Sequence, residues 1–191
     1  MKKISLFISM ALIATTFSCK KADKKTEETV EEEIEVTETE EVKTISFNLS
    51  SKSESTAVGE VTFSEENGVV SMTANLSGLT EGEHAIHIHE KADCSSADGK
   101  STGGHWNPTH TPHGKWGAEE GYHKGDIGNF IADAEGNGSI SMSTDEWCIG
   151  CGDETKDILG KAIIVHQGTD DFVSQPSGAA GARVSCGGII E

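Results

Sequence analysis

Residues 84–126 read HAIHIHEKADCSSADGKSTGGHWNPTHTPHGKWGAEEGYHKGD and hold seven of the chain's eight histidines. The eighth, His166, closes the apolar run Ala162–Val165, and no histidine precedes residue 84. Such clustering points to metal binding. His87 and His89 flank Ile88. On a strand this spacing puts both imidazoles on one face and Ile88 on the other. His105, His113 and His123 follow at intervals of eight and ten residues, in a stretch rich in Gly, Pro and Thr. That composition is a loop, which can wrap ligands around an ion that a single strand cannot surround. Asp126, three residues after His123, adds a hard carboxylate. Imidazoles with a carboxylate suit zinc, and an all-imidazole set also suits copper. The pattern therefore offers ligands for two metals.

Outward from this stretch the chain alternates. Thr44–Ser50 and Val58–Ser64 alternate apolar and polar, and Val70, Met72, Ala74 and Leu76 do so without interruption. Glu65-Glu66-Asn67-Gly68 is a hairpin turn, with Asn-Gly the favoured pair. Further strands are expected at the segment carrying His87 and His89, at Asn129–Ala132, Ser139–Ser143, Lys161–His166 and Ala182–Ile190. Seven or eight short strands and no long helix imply an all-β antiparallel sandwich or barrel with long metal-binding loops. No βαβ spacing, phosphate-binding glycine loop or internal repeat occurs.

The ordered set His87-Ile88-His89, Gly104-His105-Trp106-Asn107-Pro108, His113-Gly114, His123-Lys124-Gly125-Asp126-Ile127-Gly128-Asn129, GKAIIVH at 160–166, Asp170-Asp171 and GARVSCG at 181–187 resembles the copper,zinc superoxide dismutases over roughly residues 45–190. The resemblance implies a Greek-key β-barrel of about eight strands. It implies copper on His87, His89, His105 and His166, and zinc on His105, His113, His123 and Asp126. His105 would bridge both ions as an imidazolate. Superoxide would be converted to oxygen and hydrogen peroxide by Cu(II)/Cu(I) cycling, with zinc supporting the bridge and His105 carrying a proton. By the same resemblance Asp170 hydrogen-bonds the outer nitrogens of His87 and His113, and Arg183 anchors the superoxide anion. Cys94 would pair with Cys186. His84, on the opposite strand face from His87, would be structural, and His110 a solvated loop residue. A second reading on the same fold is an envelope copper/zinc carrier or buffer, but a carrier has no need of Arg183.

Residues 1–18 read as an export signal, with Lys2 and Lys3 ahead of a mostly apolar run too short for a comfortable membrane span. Thr16-Phe17-Ser18-Cys19 resembles a bacterial lipoprotein box in which Cys19 is lipidated; the alternative is an ordinary secretory signal. Either takes the mature chain out of the cytoplasm, and the first anchors it in the cell envelope, on the periplasmic side of a membrane. Residues 20–43 hold ten acids, five lysines and no aromatic. They read as a solvated tether reaching on the order of 25–30 Å, leading from the lipidated Cys19 to a domain at 44–191. Cys148-Ile149-Gly150-Cys151 has three readings: a local disulfide, a redox pair or an accessory metal site. The redox pair lacks the strand-to-helix setting usual for it.

The whole chain carries a net charge of −17. That argues against nucleic acid as a partner and means that the overall field repels superoxide. Gln167–Ala182 has no lysine and holds Asp170 and Asp171, so attraction would rest on Arg183, the copper charge and Lys115 or Lys124. Monomer and dimer are both compatible with the sequence.

Overall fold

The computed structural model describes residues 42–191. The leader, Cys19 and nearly all of the tether lie outside the described residues. Eight strands form: β1 Lys43–Ser51, β2 Val58–Glu66, β3 Val69–Ser77, β4 Gly82–His89, β5 Gly128–Ala132, β6 Gly138–Thr144, β7 Ala162–His166 and β8 Arg183–Gly188. Among the described residues the only helical element is a 3-10 turn at Lys100–Thr102. Neighbours run in the order β1-β2-β3-β6-β5-β4-β7-β8 and close into a barrel. All strand pairs are antiparallel. The non-sequential pairings of β3 with β6, β4 with β7 and β1 with β8 make the Greek-key crossovers that the resemblance implied.

The alternation in sequence becomes alternation in space. On β3, Val70, Met72, Ala74 and Leu76 are buried while Val69, Ser71, Thr73 and Asn75 face solvent. The β2–β3 connection is two residues long, because Glu66 pairs with Val69. Asn67 and Gly68 both take positive φ, 52° and 74°, as a type I′ turn requires. On the outer face, hydroxyls pair across strands: Ser46 with Thr62, Ser71 with Ser143 and Thr73 with Ser141.

β4 departs from simple alternation, for every residue from His84 to His89 is buried. Ile86 and Ile88 belong to the barrel core. His87 and His89 point to the other face, which the long loops cover. The core continues into those loops through aromatics. Phe63 meets Trp147 edge-on at 6.0 Å, Trp147 meets Trp116 at 5.4 Å, and Trp116 meets Tyr122 at 5.0 Å. Two disulfides close the molecule, Cys94–Cys186 across 92 residues and Cys148–Cys151 across three. The first encloses far the longer loop, so it removes more freedom from the unfolded chain.

Phe63 is fully buried, stacks on Phe47 and meets Trp147 edge-on. Phe63→Ala is expected to destabilise the domain by about 3–5 kcal/mol, read as a lower urea midpoint with an unchanged slope.

Candidate metal centre

β4 places the first two candidate ligands, His87 and His89, and the loop after it is then stitched back onto the same strand. Trp106 N donates to Ile88 O at 2.8 Å, Ile88 N to Gly125 O at 2.9 Å, and Gly125 N to Trp106 O at 3.0 Å. Glu90 N donates to Gly104 O at 3.1 Å, and His89 and His105 form an isolated antiparallel bridge. These bonds carry His105 to the side of His87 and put Asp126 directly behind it. Gly125 is needed at this crossing, since a Cβ there would run into the Ile88 carbonyl. His166 ends β7 at a register shift opposite Arg183 of β8, which turns its ring toward the β4 histidines.

Two groups of potential ligands result. His87, His89, His105 and His166 have ligand atoms within 4.8 Å of one another, and so do His105, His113, His123 and Asp126. All seven residues are buried, and His105 is common to both groups. Its ring centroid lies 4.0 Å from that of His87, 5.0 Å from His89, 5.3 Å from His113 and 5.7 Å from His123.

The hydrogen bonds determine which nitrogen each ring offers. His87 Nε2 donates to Asp170 Oδ2 at 2.8 Å, and His113 Nε2 to Asp170 Oδ1 at 2.9 Å. His89 Nδ1 donates to Gly103 O at 3.0 Å and His166 Nδ1 to Gly181 O at 3.4 Å. Each of these rings thus spends one N–H outward and turns its other nitrogen inward. The buried nitrogens with no hydrogen-bond partner are His87 Nδ1, His89 Nε2, His105 Nε2, His113 Nδ1, His123 Nδ1 and His166 Nε2, one on each of the six rings. Native interiors rarely leave such atoms unpaired. Here the set converges on two points, one on either side of His105. An all-imidazole cluster suits copper, and three imidazoles with a carboxylate suit zinc, so the donors present fit both ions.

Charges are arranged to match. Asp126 accepts from His105 Nδ1 at 2.8 Å and from the amides of His123 and Gly114 at 2.8 and 3.1 Å. Its oxygens also lie 3.0 Å from His113 Nδ1 and 3.2 Å from His123 Nδ1. Burial would raise its proton affinity, but the three histidines outweigh this and hold the carboxyl far below the usual range. Asp170 is likewise held low against its burial, by His113 and His87. In the metal-free chain burial lowers His89 and His166, and it lowers His105 to about 4 despite Asp126. These rings are therefore neutral at neutral pH, as ligands must be. His113 is the exception. Burial acts against its proton, yet Asp126 and Asp170 win and raise it to about 9, so metal must displace a proton there.

Arg183 is half-buried, and Nη1 donates to Gly99 O at 2.9 Å and Thr102 Oγ1 at 3.0 Å. Burial and the neighbouring histidines lower the proton affinity of His89 and His166, and the Arg183 charge adds a smaller push in the same direction. His84 is buried outside both groups, with Nδ1 2.9 Å from His166 O and Nε2 2.8 Å from Thr80 O. His110 is exposed. Lys124 is tied to Glu146 and so is not a free charge for steering, whereas Lys115 is exposed. Cys148 and Cys151 form a disulfide with Asp157 nearby, and Asp157 caps the turn by accepting from the amides of Gly150 and Gly152.

Gln175, Glu146, Trp147 and Gly178 gave no signal in the sequence, and Asn129 entered only as the end of a motif that carries the resemblance. Asn129 clamps the Asp170 peptide at both N–H and C=O, each at 2.9 Å, and Gln175 does the same for His113 at 2.8 and 2.9 Å. Glu146 accepts from Tyr122 and Lys124, the two neighbours of His123, and the Trp147 indole donates to Lys124 O at 2.9 Å. Gly178, with φ +67°, packs against Asp170, where a Cβ would run into Oδ1 and stand 2.8 Å from His113 Nε2.

Residues 57–189 match the family described as "Copper/zinc superoxide dismutase (SODC)". "Superoxide dismutase [Cu-Zn] 2" of Aquifex aeolicus is 34% identical over 139 residues, covering 71% of this chain and 81% of that one. "Superoxide dismutase [Cu-Zn]" of Caulobacter vibrioides is 38% identical over 135 residues, covering 69% and 77%. "Extracellular superoxide dismutase [Cu-Zn]" of Caenorhabditis elegans is 34% identical over 138 residues, and the chain spans 60% of its length. The crystal structure of a SOD-like protein from Bacillus subtilis superposes with a TM-score of 0.67 at 29% identity, covering 76% of this chain and 97% of that one.

Gly178→Ala is expected to push Asp170 away from His113 and weaken zinc binding about ten- to a hundredfold. Competition with a chelator measures this, and circular dichroism should show the barrel intact.

Proposed function

The chain belongs to the copper/zinc superoxide dismutase family, and we propose that it converts superoxide to oxygen and hydrogen peroxide at the centre built on His105. The observation that carries this reading is the set of six unpartnered imidazole nitrogens, divided around one shared ring. His87, His89, His105 and His166 would hold copper, and His105, His113, His123 and Asp126 would hold zinc. Copper when bound supplies the one-electron couple, and zinc keeps His105 Nδ1 free of its proton.

The rest is the work of the chain's own groups. Asp170 binds His87 and His113 with one carboxylate, so the two sides of the centre share an orienting group. Two superoxide anions and two protons give one oxygen and one peroxide. We assign one of those protons to His105 Nε2, the buried atom facing the copper side, which can hold it and pass it to the reduced product. Arg183 receives the anion. The guanidinium has no carboxylate among its hydrogen-bond partners, and the Asp98 charge acts on it only from a distance, so its N–H groups are not taken up by an ion pair. That matters in a chain with a net charge of −17.

Export belongs to the same proposal. Residues 1–18 would be removed as a signal, Cys19 lipidated, and residues 20–43 left as the tether of a domain at 44–191 in the envelope. The two disulfides support an oxidising compartment, and the nematode relative is named as extracellular.

Stopped-flow decay of superoxide tests the activity. The chain loaded with copper and zinc should be fast and the zinc-only chain inactive. Arg183→Ala should lower the rate about ten- to a hundredfold, and salt should slow the unmodified enzyme only modestly. No decay with both metals bound would overturn the enzyme reading in favour of a metal carrier.

A further inference from the structure

Arg183 is the only arginine in the chain, and the way it is held is unusual. A guanidinium fixed by a carboxylate is oriented but neutralised. Here the partners are the neutral oxygens of Gly99 and Thr102, both reached by Nη1, at 2.9 and 3.0 Å. Thr102 is fully buried. Its hydroxyl proton goes to Gly99 O at 2.9 Å, so the oxygen's lone pairs are left for Arg183. Arg183 Nη1, Gly99 O and Thr102 Oγ1 thus form a closed triangle with every donor correctly matched.

The backbone around Thr102 is built to keep that triangle still. Thr102 ends the 3-10 turn at Lys100–Thr102, set between Gly99 and Gly103, whose φ values are 71° and 79°. Gly99 lies against the arginine stem, where a Cβ would sit 3.3 Å from Arg183 Cβ. Thr102 O accepts from Lys91 N at 3.0 Å, and the next carbonyl, Gly103 O, accepts from His89 Nδ1 at 3.0 Å. The turn that holds Arg183 is therefore bonded to the strand end that carries His89.

We propose that Thr102 is the positioning residue for Arg183: its buried hydroxyl fixes Nη1 without cancelling the charge, leaving the other N–H groups to meet a small anion beside His89 and His166. The inference rests on the reading of Arg183 as the anion anchor. Valine at position 102 would keep the shape of threonine but leave one Nη1–H without its acceptor; serine would keep the acceptor.

Azide, titrated into the full chain loaded with Cu(II) and zinc and followed by visible absorption, is the probe. Thr102→Val should weaken azide binding about tenfold, with Thr102→Ser within about twofold of the unmodified protein. Arg183→Ala should weaken it at least as much as Thr102→Val. Wild-type affinity in Thr102→Val alongside a weakened Arg183→Ala would overturn the proposal. Wild-type affinity in Arg183→Ala would instead sink the anion-anchor reading. A second measurement judges the contact separately. With one arginine in the chain, its side-chain NMR signals are unambiguous in the Cu(I), zinc-loaded protein. The Nη1 protons should exchange slowly with water in the unmodified protein and in Thr102→Ser. Fast exchange in the unmodified protein would overturn the proposal even if Thr102→Val failed to hold its metals.

Discussion

The structure depends on burying six imidazoles while leaving one nitrogen of each without a partner inside the protein. An unsatisfied buried polar atom costs about 1–3 kcal/mol, so six of them converging on two points are a large local penalty unless cations fill those points. The outer nitrogens show that the arrangement is directed. Asp170, Gly103 and Gly181 accept from the outward N–H groups of His87, His113, His89 and His166, which turns the other nitrogen of each ring inward. Asp126 supplies the one carboxylate on one side, and the other side has none. That asymmetry separates a zinc-like from a copper-like site within a few ångströms.

The barrel exists, for this purpose, to make β4 rigid. Its core face is locked by Ile86 and Ile88, and its metal face is completed by loop backbone bonded to Ile88 and Glu90. The zinc-side loop is held from outside by a second layer. Glu146 and Trp147 grip the residues on either side of His123, and Trp147 is itself part of the core through Phe63. A continuous path of packed and hydrogen-bonded groups thus runs from the barrel interior to His123.

Much of this was legible in the sequence, because it was written in short-range patterns. The period-two alternation of Val70 to Leu76, the Asn67-Gly68 turn and the His87–His89 spacing each depend only on neighbours in the chain. The pairing of Asp170 with His87 and His113 was reached only through family resemblance. Gln175, Glu146, Thr102 and Gly178 left no trace, because their roles arise where segments far apart in sequence meet, and ordinary loop residues look the same there. Lys124 illustrates the converse. Its position beside His123 suggested a free charge for steering, and the fold commits it to Glu146.

The central claim is that one imidazole, His105, stands between two different metals. Anomalous diffraction from a crystal of the copper- and zinc-loaded protein, recorded on both absorption edges, tests it most directly. The account predicts one copper peak beside His105 Nε2 and one zinc peak beside His105 Nδ1. A single metal in the centre, or two metals neither of which touches His105, would contradict it.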